Sequence, residues 1–191
     1  GVAVSSDRGL VVPVLRNALN VNRGSGQRVF VWHDGACRQL GVPSAFAMTP
    51  GEARWIYRIG LAVIEARVRC APDQPAAALE LTVRAGAPCE FLVTHEMILG
   101  STEFEHPAVI ELLPEAGWIA GQPAPTSLVG RNQPGLCFAI ATADRAQPAT
   151  LGGDGLLYAD GRERGGPYAT LHFAPTRNCG VILLGTLGGA D

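Results

Sequence analysis

The chain alternates. Short runs of apolar residues, many with period two, are separated by glycine and proline, of which there are 24 and 14. "AVIEARVRC" sets Ile64, Ala66, Val68 and Cys70 against Glu65, Arg67 and Arg69, the signature of a strand with one buried and one wet face. "ALELTVR" repeats it with Leu79, Leu81 and Val83 against Glu80, Thr82 and Arg84, and the intervening "APDQP" predicts a hairpin. "RVFVWHDG" ends on the turn dipeptide Asp34-Gly35, and "GLCFAIAT", "GLLYADG", "YATLHFA" and "GVILLG" read as further strands.

Helix candidates are poor. Both "LVVPVLRNALN" and "PSAFAMTPGEA" carry prolines, which remove a backbone donor and clash with the preceding turn. The pattern predicts an all-β, antiparallel two-sheet β-sandwich of about ten or more strands. Helix is expected only as a turn or two near residues 44 to 52 or 114 to 120.

"FLVTHEMILGSTEFEHP", residues 91 to 107, breaks the rhythm with two histidines and several glutamates. Alternation sends Phe91, Val93, His95, Met97 and Leu99 one way and Leu92, Thr94, Glu96 and Ile98 the other. Neither face is purely polar, so the stretch predicts a central strand covered on both sides. His95 and Glu96 then face apart and cannot chelate one ion.

Composition narrows the classes. At 191 residues the chain suits one domain, and 47% apolar with 17% charged residues describes a globular protein. All 15 basic residues are arginine, scattered along the chain, and the formal charge is −2, which argues against nucleic-acid and membrane partners. The five cysteines never form a Cys-x-x-Cys pair; they read as buried small hydrophobes in a reducing cytoplasm. No spacing typical of zinc ligands, no Gly-x-Ser-x-Gly elbow and no phosphate-cradling glycine loop before a helix is present, so no cofactor or metal is expected. Glu96, Glu103, Glu105 and Glu111 could include a glycosidase-type carboxyl pair or form a solvated edge.

Three stretches in order, "ARWIYRIGLAVIEARVRCAPDQPAAALELTVR", "CEFLVTHEMILG" and, more loosely, "TADRAQPATLGGDGLLYADG", resemble the strand series in the amino-terminal β-sandwich of glycoside hydrolase family 94. That family holds cellobiose, chitobiose and 1,2-β-oligoglucan phosphorylases and cyclic β-glucan synthases. The resemblance implies a supersandwich domain, similar to galactose-mutarotase-like sandwiches, spanning residues 1–191 as a module of a larger carbohydrate-active enzyme. It implies no catalytic residue here, because the family's general acid and phosphate ligands lie in a separate helical (α/α)₆ barrel.

The function it implies is carbohydrate binding or scaffolding within a β-glucan phosphorylase. Its partners would be an oligosaccharide, that barrel, or a second copy in a homodimer. Two alternatives stay open: a small mutarotase-like epimerase or lyase using His95 or His172 with a carboxylate, and a purely structural domain. The candidate ligand-binding residues are Trp55, Tyr57, His95, Glu96, Glu103, Glu105 and Trp118, the aromatic ones as flat platforms for a sugar.

Overall fold

A computed structural model describes residues 26–33, 35–96, 108–166 and 168–186. Thirteen strands run through these residues: β1 (Gly26–His33), β2 (Ala36–Gln39), β3 (Ala45–Thr49), β4 (Glu52–Ile59), β5 (Ala62–Cys70), β6 (Ala76–Ala85), β7 (Cys89–Glu96), β8 (Ala108–Leu113), β9 (Trp118–Pro123), β10 (Cys137–Thr142), β11 (Thr150–Gly152), β12 (Tyr168–Thr176) and β13 (Asn178–Thr186). They form a five-stranded sheet in the order β11-β12-β7-β1-β2 and an eight-stranded sheet in the order β3-β4-β5-β6-β13-β10-β9-β8. Every pairing described is antiparallel. This is the β-sandwich that the period-two pattern predicts.

Side chains alternating inward from both sheets build one core. Val29, Val31, Phe91, Val93, Leu171 and Phe173 come from the five-stranded sheet, and Trp55, Ile64, Val68, Leu79, Leu81, Ile119, Ile140 and Val181 from the eight-stranded one. β5 and β6 pair as the expected hairpin, with Val68 opposite Leu79 and Ala66 opposite Leu81. β7 is the middle strand of its sheet, and Phe91 through Glu96 are all buried. The expected covering of both faces therefore holds up to Glu96; residues 97 to 107, with Glu103 and Glu105, lie outside the described residues.

Four expectations are corrected. Residues 45–49 are strand β3 rather than helix, because Pro50 and Gly51 close a hairpin onto β4: proline presets the first turn position and Gly51, at φ 80°, takes the left-handed second one. Residues 114–117 form a turn into β9, and the α-helix lies elsewhere, at α1 (Leu128–Asn132), where the Ser127 hydroxyl caps it by accepting from the Gly130 N–H.

"GLLYADG" is likewise no strand. Asp154 to Leu157 form a 3₁₀ turn, and the buried Asp154 carboxylate accepts hydrogen bonds from the N–H groups of Arg164, at 3.0 Å, and Gly166, at 2.8 Å. That carboxylate folds the segment back as a loop. The cysteines divide, against the expectation that all are buried: Cys89 and Cys179 are buried, Cys137 is half-buried, and Cys37 and Cys70, the last residue of β5, are exposed. Burial pushes the Cys179 thiol up to about 12.

Candidate functional site

The outer face of the eight-stranded sheet has two unlike halves, and register explains both. On β4, β5 and β6 most outward positions are charged, and opposite signs meet where Glu52 faces Arg69 and Arg67 faces Glu80, while Arg67 also lies opposite Arg54. Arg69 bonds Glu52 and Glu80 at 3.0 Å each, while Arg67 and Arg84 share one oxygen of Glu65 at 2.9 and 3.0 Å. Burial raises the Glu65 carboxyl, and the two guanidinium groups more than offset this, holding it below the ordinary carboxylate range.

Beyond β13 the same face turns apolar. Ile119 and Ile140 point into the core, so their neighbours Trp118, Ala120, Gln122 and Ala139 point out. A groove of about 320 Å³ opens over them, floored by Ala120 and Ala139 and bordered by Trp118, Val109 and Leu184. Glu111 and Gln122 supply its polar groups. The alanines matter because small side chains leave space beside the half-buried Trp118.

The other sequence-predicted residues lie apart from this groove. Trp55 is fully buried, its ring tilted against Phe46 at 5.4 Å between centroids, and Tyr57 is buried two positions along the same inward face of β4. Burial pushes the Tyr57 hydroxyl up. Neither ring offers a face to a sugar, because the alternation that makes β4 a strand points both at the opposite sheet.

His95 is also within the core, its Nε2 2.8 Å from the Gln27 side-chain nitrogen. Burial lowers its pKa to about 4. Glu96 points to the other face of the five-stranded sheet, 3.7 Å from Arg28. Trp118 is thus the one member of the predicted set, among the described residues, that borders this groove.

One pair is brought together that the linear sequence leaves 82 residues apart: Nε2 of His172, on β12, lies 2.7 Å from Oε1 of Glu90, on β7. Both side chains are about one-third exposed, on the outer face of the five-stranded sheet. The alternative acid–base reading named His172, but its partner needed the β7–β12 register, in which His172 sits opposite Leu92 and so diagonal to Glu90. No group of three or more potential metal-ligating side chains gathers among the described residues.

Two antiparallel sheets of five and eight strands around one core define the class as a large β-sandwich. The chain belongs to the family of glycoside phosphorylase supersandwich domains, whose model matches residues 7–185. It is 25% identical over 125 residues to a 1,2-β-oligoglucan phosphorylase of Listeria innocua serovar 6a, a match covering 65% of this chain and 11% of that protein. A solved structure provisionally assigned as a kojibiose phosphorylase, from the human microbiome, superimposes with a TM-score of 0.44 at 8% identity, covering 87% of this chain and 22% of that one. The resemblance read from the strand series points to the same group of enzymes.

Proposed function

We propose that this chain is the non-catalytic supersandwich module of a phosphorylase acting on a β-linked glucan, and that it supplies scaffold and sugar contact rather than chemistry. The observation that carries the sugar contact is the groove beside Trp118. A pyranose presents an apolar C–H face and a rim of hydroxyls; an indole with a carboxylate and a carboxamide beside it matches both.

The helical catalytic barrel of the same polypeptide is the proposed main partner. Exposed unpaired thiols at Cys37 and Cys70 suit a reducing cytoplasm. Among the described residues no helix is long and apolar enough to cross a membrane.

The 2.7 Å contact between His172 and Glu90 favours a second reading, acid–base chemistry on a sugar. Both side chains, however, are about one-third exposed at the uncovered end of this face, where a proton is exchanged with solvent as readily as with a substrate.

The test of the first reading is calorimetric titration of laminari-, cello- and 1,2-linked gluco-oligosaccharides into wild type and Trp118→Ala. Millimolar binding that weakens about tenfold in the variant, the equivalent of one lost contact, is the expected result. Absence of binding to wild type, or an unchanged variant, would overturn the sugar-contact role of the groove.

A further inference from the structure

We propose that Trp32, Glu90 and His172 form a second sugar-binding platform, on the outer face of the five-stranded sheet, for a pyranose unit of a β-linked glucan. The inference rests on the carbohydrate reading above but not on the Trp118 groove, which lies on the other sheet.

Register places the three residues together. Trp32 on β1 sits opposite Glu90 on β7, and residues directly opposite across a ladder share a face. His172 on the next strand reaches the same carboxylate at 2.7 Å. The row therefore crosses three adjacent strands, about two strand spacings or roughly 10 Å, which accommodates a sugar ring and its linkage.

Trp32 is 37% exposed and the Glu90 and His172 side chains are about one-third exposed, whereas Leu92, the next outward residue of β7, is buried. The indole faces the same way as the carboxylate, which sets an apolar plane next to a hydrogen-bonding pair.

The chemistry of the pair suits hydroxyls. Glu90 spends Oε1 on His172, leaving Oε2 to accept from a sugar hydroxyl, and the imidazole bond fixes the direction in which the carboxylate points. A histidine–carboxylate contact about one-third exposed adds little to stability, and backbone bonds of the ladder already join β7 to β12. On the far side of Trp32, opposite it on β2, stands the exposed thiol of Cys37, whose pKa partial desolvation and the Glu90 charge raise. An aromatic plane with a charged acceptor at one edge and no charge at the other orients a sugar rather than a metal or a polyanion.

The chain has three tryptophans, and their indole N–H signals in a ¹H–¹⁵N spectrum report separately on Trp32, Trp118 and the buried Trp55. Titrating cello- and laminari-oligosaccharides should move the Trp32 signal saturably, leave Trp55 still, and give an affinity for Trp32 unaffected by Trp118→Ala. Glu90→Gln keeps the shape of the side chain and removes the charge; it should weaken the Trp32 response about tenfold, as expected for one charge-assisted hydrogen bond. Unchanged Trp55 and Trp118 signals verify that the variant is folded.

A Trp32 signal that stays put while Trp118 responds would overturn this platform and leave the groove intact. A response at Trp32 alone would establish the platform and remove the groove. A Trp32 response indifferent to Glu90→Gln and to His172→Gln would overturn the assigned roles of the pair.

Discussion

Inside the core, the side-chain nitrogen of Gln27 lies 2.8 Å from Nε2 of His95, its register partner on the neighbouring strand. With the amide donating, the imidazole accepts and must be neutral, which agrees with a pKa lowered to about 4 by burial. Unfolded, the same histidine titrates near the ordinary value of about 6.5. The unfolded chain therefore takes up a proton before the folded one does. Stability contributed by the neutral state is fully present above about pH 6.5, declines as pH falls, and levels off below about pH 4, for a total loss on the order of 3 kcal/mol. Urea denaturation between pH 7 and pH 4 should show this slope, and His95→Gln should remove most of it. An identical slope in the variant would assign it to carboxylates.

Asp154 is expected to hold the loop between β11 and β12. Its carboxylate accepts two backbone N–H bonds, from Arg164 and Gly166, and Arg164 in turn stacks over Tyr158 at 3.6 Å and pairs with Asp160. Asp154→Ala strands two donors and should cost about 2–4 kcal/mol. Hydrogen exchange checks the location: the Arg164 and Gly166 amides should lose protection first, while those of β5 and β6 keep theirs.

Gly121→Ala should destabilise by about 1–3 kcal/mol through overpacking. A Cβ at Gly121 would come within 2.0 Å of the Phe138 ring, which covers that glycine from the paired strand. Combining it with Phe138→Leu should recover part of the loss in thermal melts. Additive losses would mean that the ring is not the obstacle.

The isolated chain should neither phosphorolyse nor hydrolyse β-glucosides. His95 is sealed in the core, and Glu90 and His172, which pair with each other, are about one-third exposed to water. Incubation with phosphate and cellobiose or sophorose, followed by analysis of released glucose and glucose 1-phosphate, should give only background. Turnover abolished by Glu90→Gln or Glu96→Gln would contradict the non-catalytic reading.

Much of the scaffold was legible along the chain because a strand reports itself locally. The alternation in β5 and β6 names their buried apolar residues except Cys70, which is exposed, and misses the burial of Glu65, while "FLVTHE", apolar on both sides, announces a covered central strand. Turn chemistry was harder. Pro50-Gly51 could end a helix or close a hairpin, and the choice fell to the strand β4 that residues 45–49 could pair with. The role of Asp154 is not local either, because the N–H donors that its carboxylate holds lie ten and twelve positions on.

The sequence by itself determined that the chain is a β-sandwich and which family it resembles, because period-two patterning and strand order survive in one dimension. It could not tell a platform from a core residue among the tryptophans. Trp55 and Trp118 both sit in alternating strands, and only the packing of the second sheet buries one and leaves the other bordering a groove. Nor could it pair His172 with Glu90, since proximity across a sheet is set by register between β7 and β12, a property of two strands together that neither carries alone.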